Sequence, residues 1–230
     1  MENGKEVLRV ENLHVFIDED VILEDINFVV HEGDFVAILG PNGAGKSVLL
    51  RAILGLLPYK GKVILSPETV IGYVPQRFAP EHDLPLSAEE WLKLSGVNQS
   101  IIEETLNKVG FPLTSLYQPI GILSQGQLQR LMLAFALLRK PTLLFVDEPL
   151  AAVDAIGSEA ISQLLSRLSK EEGIAVIFVS HDLILVNRAA SHVVCLNRVQ
   201  VCFGNTREAL NEKTLKELFG PEQTIHQHIH

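Results

Sequence analysis

Residues 35–50 read FVAILGPNGAGKSVLL. The apolar, β-branched run from Phe35 to Leu39 predicts a buried strand, Gly40 to Gly45 a tight loop, and Lys46 onward a helix. Gly40, Gly45, Lys46 and Ser47 fill every fixed place of the GxxxxGK[ST] phosphate-binding pattern. Glycines at 40, 43 and 45 are expected to take positive φ and to bring backbone N–H groups to phosphate oxygens with no Cβ in the way. The positive end of the following helix points at the same spot; Lys46 is placed to neutralise β- and γ-phosphates and the Ser47 hydroxyl to ligate Mg²⁺. A glycine-rich turn before an ordinary helix is the plainer alternative, and the strand before and helix after weigh against it.

Working outward, Leu143–Pro149 reads LLFVDEP, a buried strand with Asp147 and Glu148 at its exit. Adjacent acids after an apolar run are costly to bury unless a cation or a water to be activated awaits them. Beside a phosphate loop, Asp147 would hold Mg²⁺ and Glu148 would orient and deprotonate water. Two more buried runs end in polar groups: GYVPQ at Gln76, and Ile174–Val179 at Ser180, His181 and Asp182. Taken alone, Gln76 is a loop glutamine and His181 an ordinary polar residue; together with Glu148 they form a series of strand exits, where sheets of this class bind ligands.

Other segments fit around these strands. Residues 7–31 alternate apolar and polar side chains and predict antiparallel strands; Phe16 among them reads equally as a base-stacking aromatic or a core residue. From Arg77 to Gly121 the texture changes to short helices. Ser87 with Glu90 and Ser100 with Glu103 have capping-box spacing, and Gly110 followed by Pro112 ends a helix. The apolar residues Phe78, Leu84, Pro85 and Trp91 either line a groove for a partner helix or are packed inward. LSQGQLQRLMLAFALL, residues 123–138, opens with Ser124 and Gln127 as a capping box, while Ser124 with free N–H groups of Gly126 and Gln127 would also make an anion site. A helix from about Ser158 to Gly173, a hairpin about Asn197 and Arg198 and a helix over 208–219 complete the chain.

Composition bounds the function. A formal net charge of −9 argues against nucleic acid as the main ligand. No uncharged apolar run approaches the length needed to span a bilayer, and MENGKEVLRVENL lacks the apolar centre of a signal peptide, so a soluble chain or one held to a membrane by a partner is expected. Cys195 and Cys202, the only two cysteines, lie in apolar stretches and are expected as small buried residues in preference to a disulfide or a metal site.

The strand-exit residues, in this order and spacing, resemble the ATP-binding cassette family, the nucleotide-hydrolysing subunits of ABC transporters, over nearly the whole chain. GPNGAGKS looks like Walker A, VPQ like the Q-loop, LSQGQ like the signature, LLFVDE like Walker B, AAVD with Asp154 like the D-loop and SHD like the switch histidine. The resemblance implies an α/β P-loop NTPase core of RecA-like type, with an N-terminal antiparallel β subdomain and an inserted helical subdomain. The chain would be one ABC ATPase domain over 1–230, with 77–138 helical. It implies ATP on Gly40, Pro41, Asn42, Gly43, Ala44, Gly45, Lys46, Ser47 and Val48, with adenine on Phe16. Mg²⁺ would lie on Ser47, Gln76 and Asp147, and catalysis would fall to Glu148, His181 and Gln76. Ser124, Gly126, Gln127 and Asp154 would complete the nucleotide site in a head-to-tail homodimer. A membrane permease would dock beside Gln76 and the helical insertion, with a substrate-binding protein acting indirectly, at the cytoplasmic face of the membrane. GYVPQRF, DLPLSAEE and SHDLILVNRAASHVVCLNR look like importers of zinc, manganese or iron chelates. The ending TIHQHIH places His226, His228 and His230 on one side of an extended chain, a metal-binding spacing or a tail with no role. One departure stands out: Gln125 replaces the first glycine of the usual LSGGQ, adding a side chain where phosphate approaches.

Overall fold

The computed structural model describes residues 4–76, 78–148 and 155–220, with backbone only for 155–158. The strands are β1 (Glu6–Ile17), β2 (Asp20–His31), β3 (Phe35–Leu39), β4 (Lys60–Leu65), β5 (Ile71–Val74), β6 (Leu143–Asp147), β7 (Ala175–Ser180), β8 (His192–Asn197) and β9 (Val199–Asn205). They form one sheet in the order β4-β1-β2-β9-β8-β3-β7-β6-β5. β8, β3, β7, β6 and β5 run parallel, while β1 pairs antiparallel with both β2 and β4. The expected α/β core with an N-terminal antiparallel portion is what forms.

Strands covered on both faces need continuous apolar sequence, and FVAIL, LLFVD and AVIFVS are buried at every position. Their side chains alternate between two cores. Val36, Ile38, Leu143, Phe145, Ile177 and Val179 meet β1, β2 and the apolar side of α1 (Lys46–Ile53). Ala37, Leu39, Leu144, Val146, Val176 and Phe178 meet the remaining helices, including α2 (Ala88–Lys93), α3 (Gln99–Val109) and α4 (Gln125–Leu138). The helical insertion therefore shares a core with one face of the sheet. Phe78 and Trp91 are packed, not open: Trp91 lies between Phe78 and Phe135, with ring centroids 5.5 and 4.4 Å away. Leu84, Tyr117 and Ile122 nearby are exposed.

Several local expectations shift. The capping box at Ser87 and Glu90 forms, but α3 is capped by Asn98, whose Oδ1 accepts from Ile101 N, and not by Ser100. The helix starts at Gln99, two residues ahead of that expectation, so Ser100 lies inside its first turn and the Asn98 amide oxygen is the one that meets a free N–H. α5 (Ala155–Glu172) begins ahead of Ser158, and α6 (Leu183–Ala189) follows His181 with Asp182 as its N-cap. The last helix divides into α7 (Thr206–Ala209) and α8 (Glu212–Phe219). Cys195 and Cys202, expected as separate residues, form a disulfide. The hairpin places them as direct partners across β8 and β9, which spacing in apolar sequence did not reveal. Among the described residues, no helix is long and apolar enough to cross a membrane.

Candidate active site

Parallel strands leave the sheet on the same side, so the ends of β3, β5, β6 and β7 meet. From β3 the chain enters the phosphate loop. Gly43 and Gly45 have φ of 80° and 94°, as expected of a turn that presents N–H groups. Gly40 does not have positive φ; it is required for a different reason. A Cβ there would come within 2.0 Å of the Leu196 carbonyl on β8, so the loop sits directly against the neighbouring strand. Arg198 N donates to Ala44 O at 3.0 Å and Glu24 N to Arg198 O at 2.9 Å, tying the loop through the β8–β9 turn to β2. A Cβ on Gly43 would meet nothing, so the loop is open on that side, a cradle into which phosphate fits.

Lys46, buried at the start of α1, spans the loop from below: Nζ donates to Gly40 O at 2.9 Å and Pro41 O at 3.0 Å. Burial holds its pKa below the usual lysine value, opposed by Glu148 and then Asp147. One residue on, Ser47 Oγ donates to Asp147 Oδ1 at 3.2 Å, and Val48 packs against the β1–β2 core. Asp147 is 2% exposed, and burial raises its pKa despite the Ser47 hydrogen bond. A buried carboxylate beside a hydroxyl is a hard-oxygen pair, the donor chemistry that suits Mg²⁺.

Glu148 leaves β6 with φ of 44°, a left-handed turn that directs its carboxylate into the group of strand exits. Gln76 Nε2 donates to its Oε2 at 2.5 Å. Its Oε1 faces Lys46 Nζ at 4.0 Å and His181 Nδ1 at 3.9 Å. Gln76, Lys46, Ser47, Asp147, Glu148 and His181 are thus one site.

The signature stretch forms a second feature. Ser124 is the N-cap of α4, and both halves of its capping box with Gln127 are present. The Gln127 N–H is not free, as an anion site would need: it donates to Ser124 Oγ, and its side chain donates to Ser115 Oγ at 3.0 Å. Gly126 has open space where a Cβ would stand, and Ser124 and Gln125 are exposed. Phe16, next to last in β1, lies within the β1–β2 hairpin that touches the loop and belongs to neither core. Asn42 is exposed at the loop tip. Asp154, His226, His228 and His230 lie outside the described residues.

Residues that no motif singled out also shape the site. Leu23 meets Gly45 and Leu196 meets Gly40 through tertiary contact, while Arg51 and Tyr73 act on or near the Asp147 charge. Tyr73 lies within the GYVPQ run, and for the others the only sequence signal was the turn at Asn197 and Arg198.

A family model described as ABC transporter matches residues 23–151. The chain belongs to the ABC transporter family. It is an ABC ATPase subunit, and its similarity to curated relatives runs nearly end to end. It is 42% identical over 216 residues to the zinc import ATP-binding protein ZnuC of Pseudomonas entomophila (strain L48), covering 93% of this chain and 84% of that relative. With ZnuC of Pseudomonas putida (strain KT2440) the identity is 40% over 229 residues, 97% of this chain and 89% of the relative. Among solved ABC structures, a metal-chelate type ABC transporter in an inward-facing conformation superposes with a TM-score of 0.83 at 27% identity, over 94% of this chain and 89% of that one. The dimeric structure of MJ0796, a bacterial ABC transporter cassette, gives 0.75 at 26%, over 87% and 99%.

Proposed function

We propose that this chain binds and hydrolyses ATP to drive import of a metal ion, zinc or manganese, through a membrane permease. The observation that carries the hydrolytic part is the convergence of Gln76, Lys46 and His181 on Glu148. In this reading the phosphate loop from Gly40 to Val48 and the start of α1 bind the polyphosphate, with Lys46 opposing its charge. Phe16 stacks on the adenine. Ser47, Asp147 and Gln76 would hold Mg²⁺, which when bound would neutralise negative charge on the polyphosphate. Glu148 accepts the proton of the attacking water, and Gln76 and His181 fix where that carboxylate points.

Ser124, Gly126 and Asp154 act from the second copy of a head-to-tail homodimer, in which the exposed start of α4 covers the partner's phosphate loop, while Gln127 holds that start in shape through its bonds to Ser124 and Ser115. Residues 1–230 act as one ABC ATPase domain, with 77–138 as its helical arm. The permease docks beside Gln76 and the exposed apolar residues of that arm, Leu84 and Ile122 among them, which holds the chain at the cytoplasmic face of the membrane. A substrate-binding protein acts through the permease. The metal cargo rests on the names of the zinc-import relatives. The test is ATP turnover of the chain purified with its native membrane partner. Stimulation by zinc or manganese supports this cargo, and stimulation only by another solute overturns it.

A further inference from the structure

Phe16 pairs with Val21 beside the tip of the β1–β2 hairpin. That hairpin borders the phosphate loop, since a Cβ on Gly45 would meet the Leu23 side chain at 2.5 Å and the Ile22 carbonyl at 3.6 Å. The half-buried ring has a cation for a neighbour: Lys60 Nζ lies 4.8 Å from its centroid. Lys60 is the first residue of the edge strand β4, and its backbone is fixed opposite His14 of β1.

A lysine on an edge strand discourages pairing with other chains, and that role alone needs no ring beneath it. Lys62, on the same strand, serves it while facing Glu11 at 3.7 Å. Lys60 instead turns its ammonium toward an aromatic face, where the ring quadrupole attracts a cation. Phe16 has two faces, and a side chain near a surface must be ordered before a base can stack on it.

We propose that Lys60 is a positioning residue for the nucleotide base: its ammonium holds one face of Phe16 and so presents the other face to the purine. The proposal rests on the stacking role given to Phe16 above. It makes Lys60 matter to ligands that carry a base and not to the phosphate chain, which the loop holds separately.

Calorimetry of the full chain with Mg-ATP and with inorganic tripolyphosphate, which has no base, tests this. Lys60→Met keeps the length and removes the charge. It should weaken ATP binding about two- to fivefold, the factor expected of an exposed cation–π contact, and leave tripolyphosphate binding unchanged. Lys60→Arg should restore ATP affinity. Phe16→Leu should weaken ATP alone, and adding Lys60→Met to it should cost nothing more. Unchanged ATP affinity in Lys60→Met, an equal loss for tripolyphosphate, or failure of arginine to restore binding would overturn the role of Lys60. If Phe16→Leu binds ATP like the unaltered chain, the stacking role fails and takes the inference with it; if Phe16→Leu is weakened and Lys60→Met is not, only Lys60 is struck out.

Discussion

Gln76 donates its side-chain amide to the Glu148 carboxylate, Nε2 to Oε2 at 2.5 Å, across 72 residues of chain. β5 and β6 are parallel neighbours, so the last residues of each emerge side by side. The contact links the segment that leads into the helical insertion with the carboxylate proposed to activate water. Movement of one strand exit must therefore displace the other.

Glu148→Gln keeps the shape of the side chain and an oxygen for Gln76, but it cannot take a proton from water. ATP turnover is expected to fall about 10²- to 10⁴-fold while binding survives. Loss of the negative charge also removes repulsion toward the γ-phosphates, so size-exclusion chromatography should show a dimer with ATP and Mg²⁺ and a monomer with ADP. Turnover at the unaltered rate would exclude Glu148 as the base, and an inactive monomer with ATP would count against the head-to-tail dimer.

Lys46→Ala removes the ammonium that bridges Gly40 O and Pro41 O. It also removes the ammonium that faces Glu148 Oε1 at 4.0 Å. Tight ATP binding should be lost, as read by calorimetry, while the thermal melt of the nucleotide-free chain shows it still folded. Unchanged affinity would remove the phosphate cradle from the account.

Gly40→Ala and Gly43→Ala should differ in cost. At 43 the added methyl meets open space and the penalty is the left-handed backbone, about 1–2 kcal/mol. At 40 the methyl collides with the Leu196 carbonyl, where backbone on both sides must move, so the loss should exceed that of Gly43→Ala. Urea unfolding of the two variants decides it; equal or reversed losses would mean the loop does not pack on β8 as described.

The buried Asp147 carboxylate gives a pH dependence of definite sign. Its folded pKa is raised above the ordinary 3.8, so between that value and the raised one the folded chain binds more protons than the unfolded chain. Stability from this group therefore falls as pH rises through that window and stays at its lower level above it. Asp147→Asn should flatten this slope and raise the neutral-pH melting temperature of the nucleotide-free chain, while weakening Mg²⁺-dependent ATP binding. A variant that melts lower at neutral pH would show that the carboxylate is stabilising there.

Gln125 is exposed in the first turn of α4, beside the open space over Gly126. Gln125→Gly should leave the fold intact and raise ATP turnover in the dimer, because a side chain no longer crowds the facing γ-phosphate. Lower turnover would mean that Gln125 makes a productive contact across the dimer.

Much of this protein is determined by local sequence. Short apolar runs bounded by turn residues and rich in β-branched or aromatic side chains predict strands covered on both faces, and FVAIL and LLFV, which leads into Asp147, form such strands. The phosphate loop, the capping boxes at Ser87 and Ser124 and the polar residues at each strand exit follow from rules that act over a few residues. Tertiary structure decided whatever depends on which strands become neighbours. The order β8-β3-β7-β6-β5 gathers Gln76, Glu148 and His181 on one edge, whereas the chain alone only spaces them apart. It sets Gly40 against Leu196, so that steric closeness, and not the positive φ expected, is what demands glycine there. It brings Cys195 opposite Cys202 across a hairpin and lays Lys60 over Phe16. Each of these turns on a distance of a few ångströms between separate strands or loops, and side-chain periodicity within one segment carries no record of its distance to another.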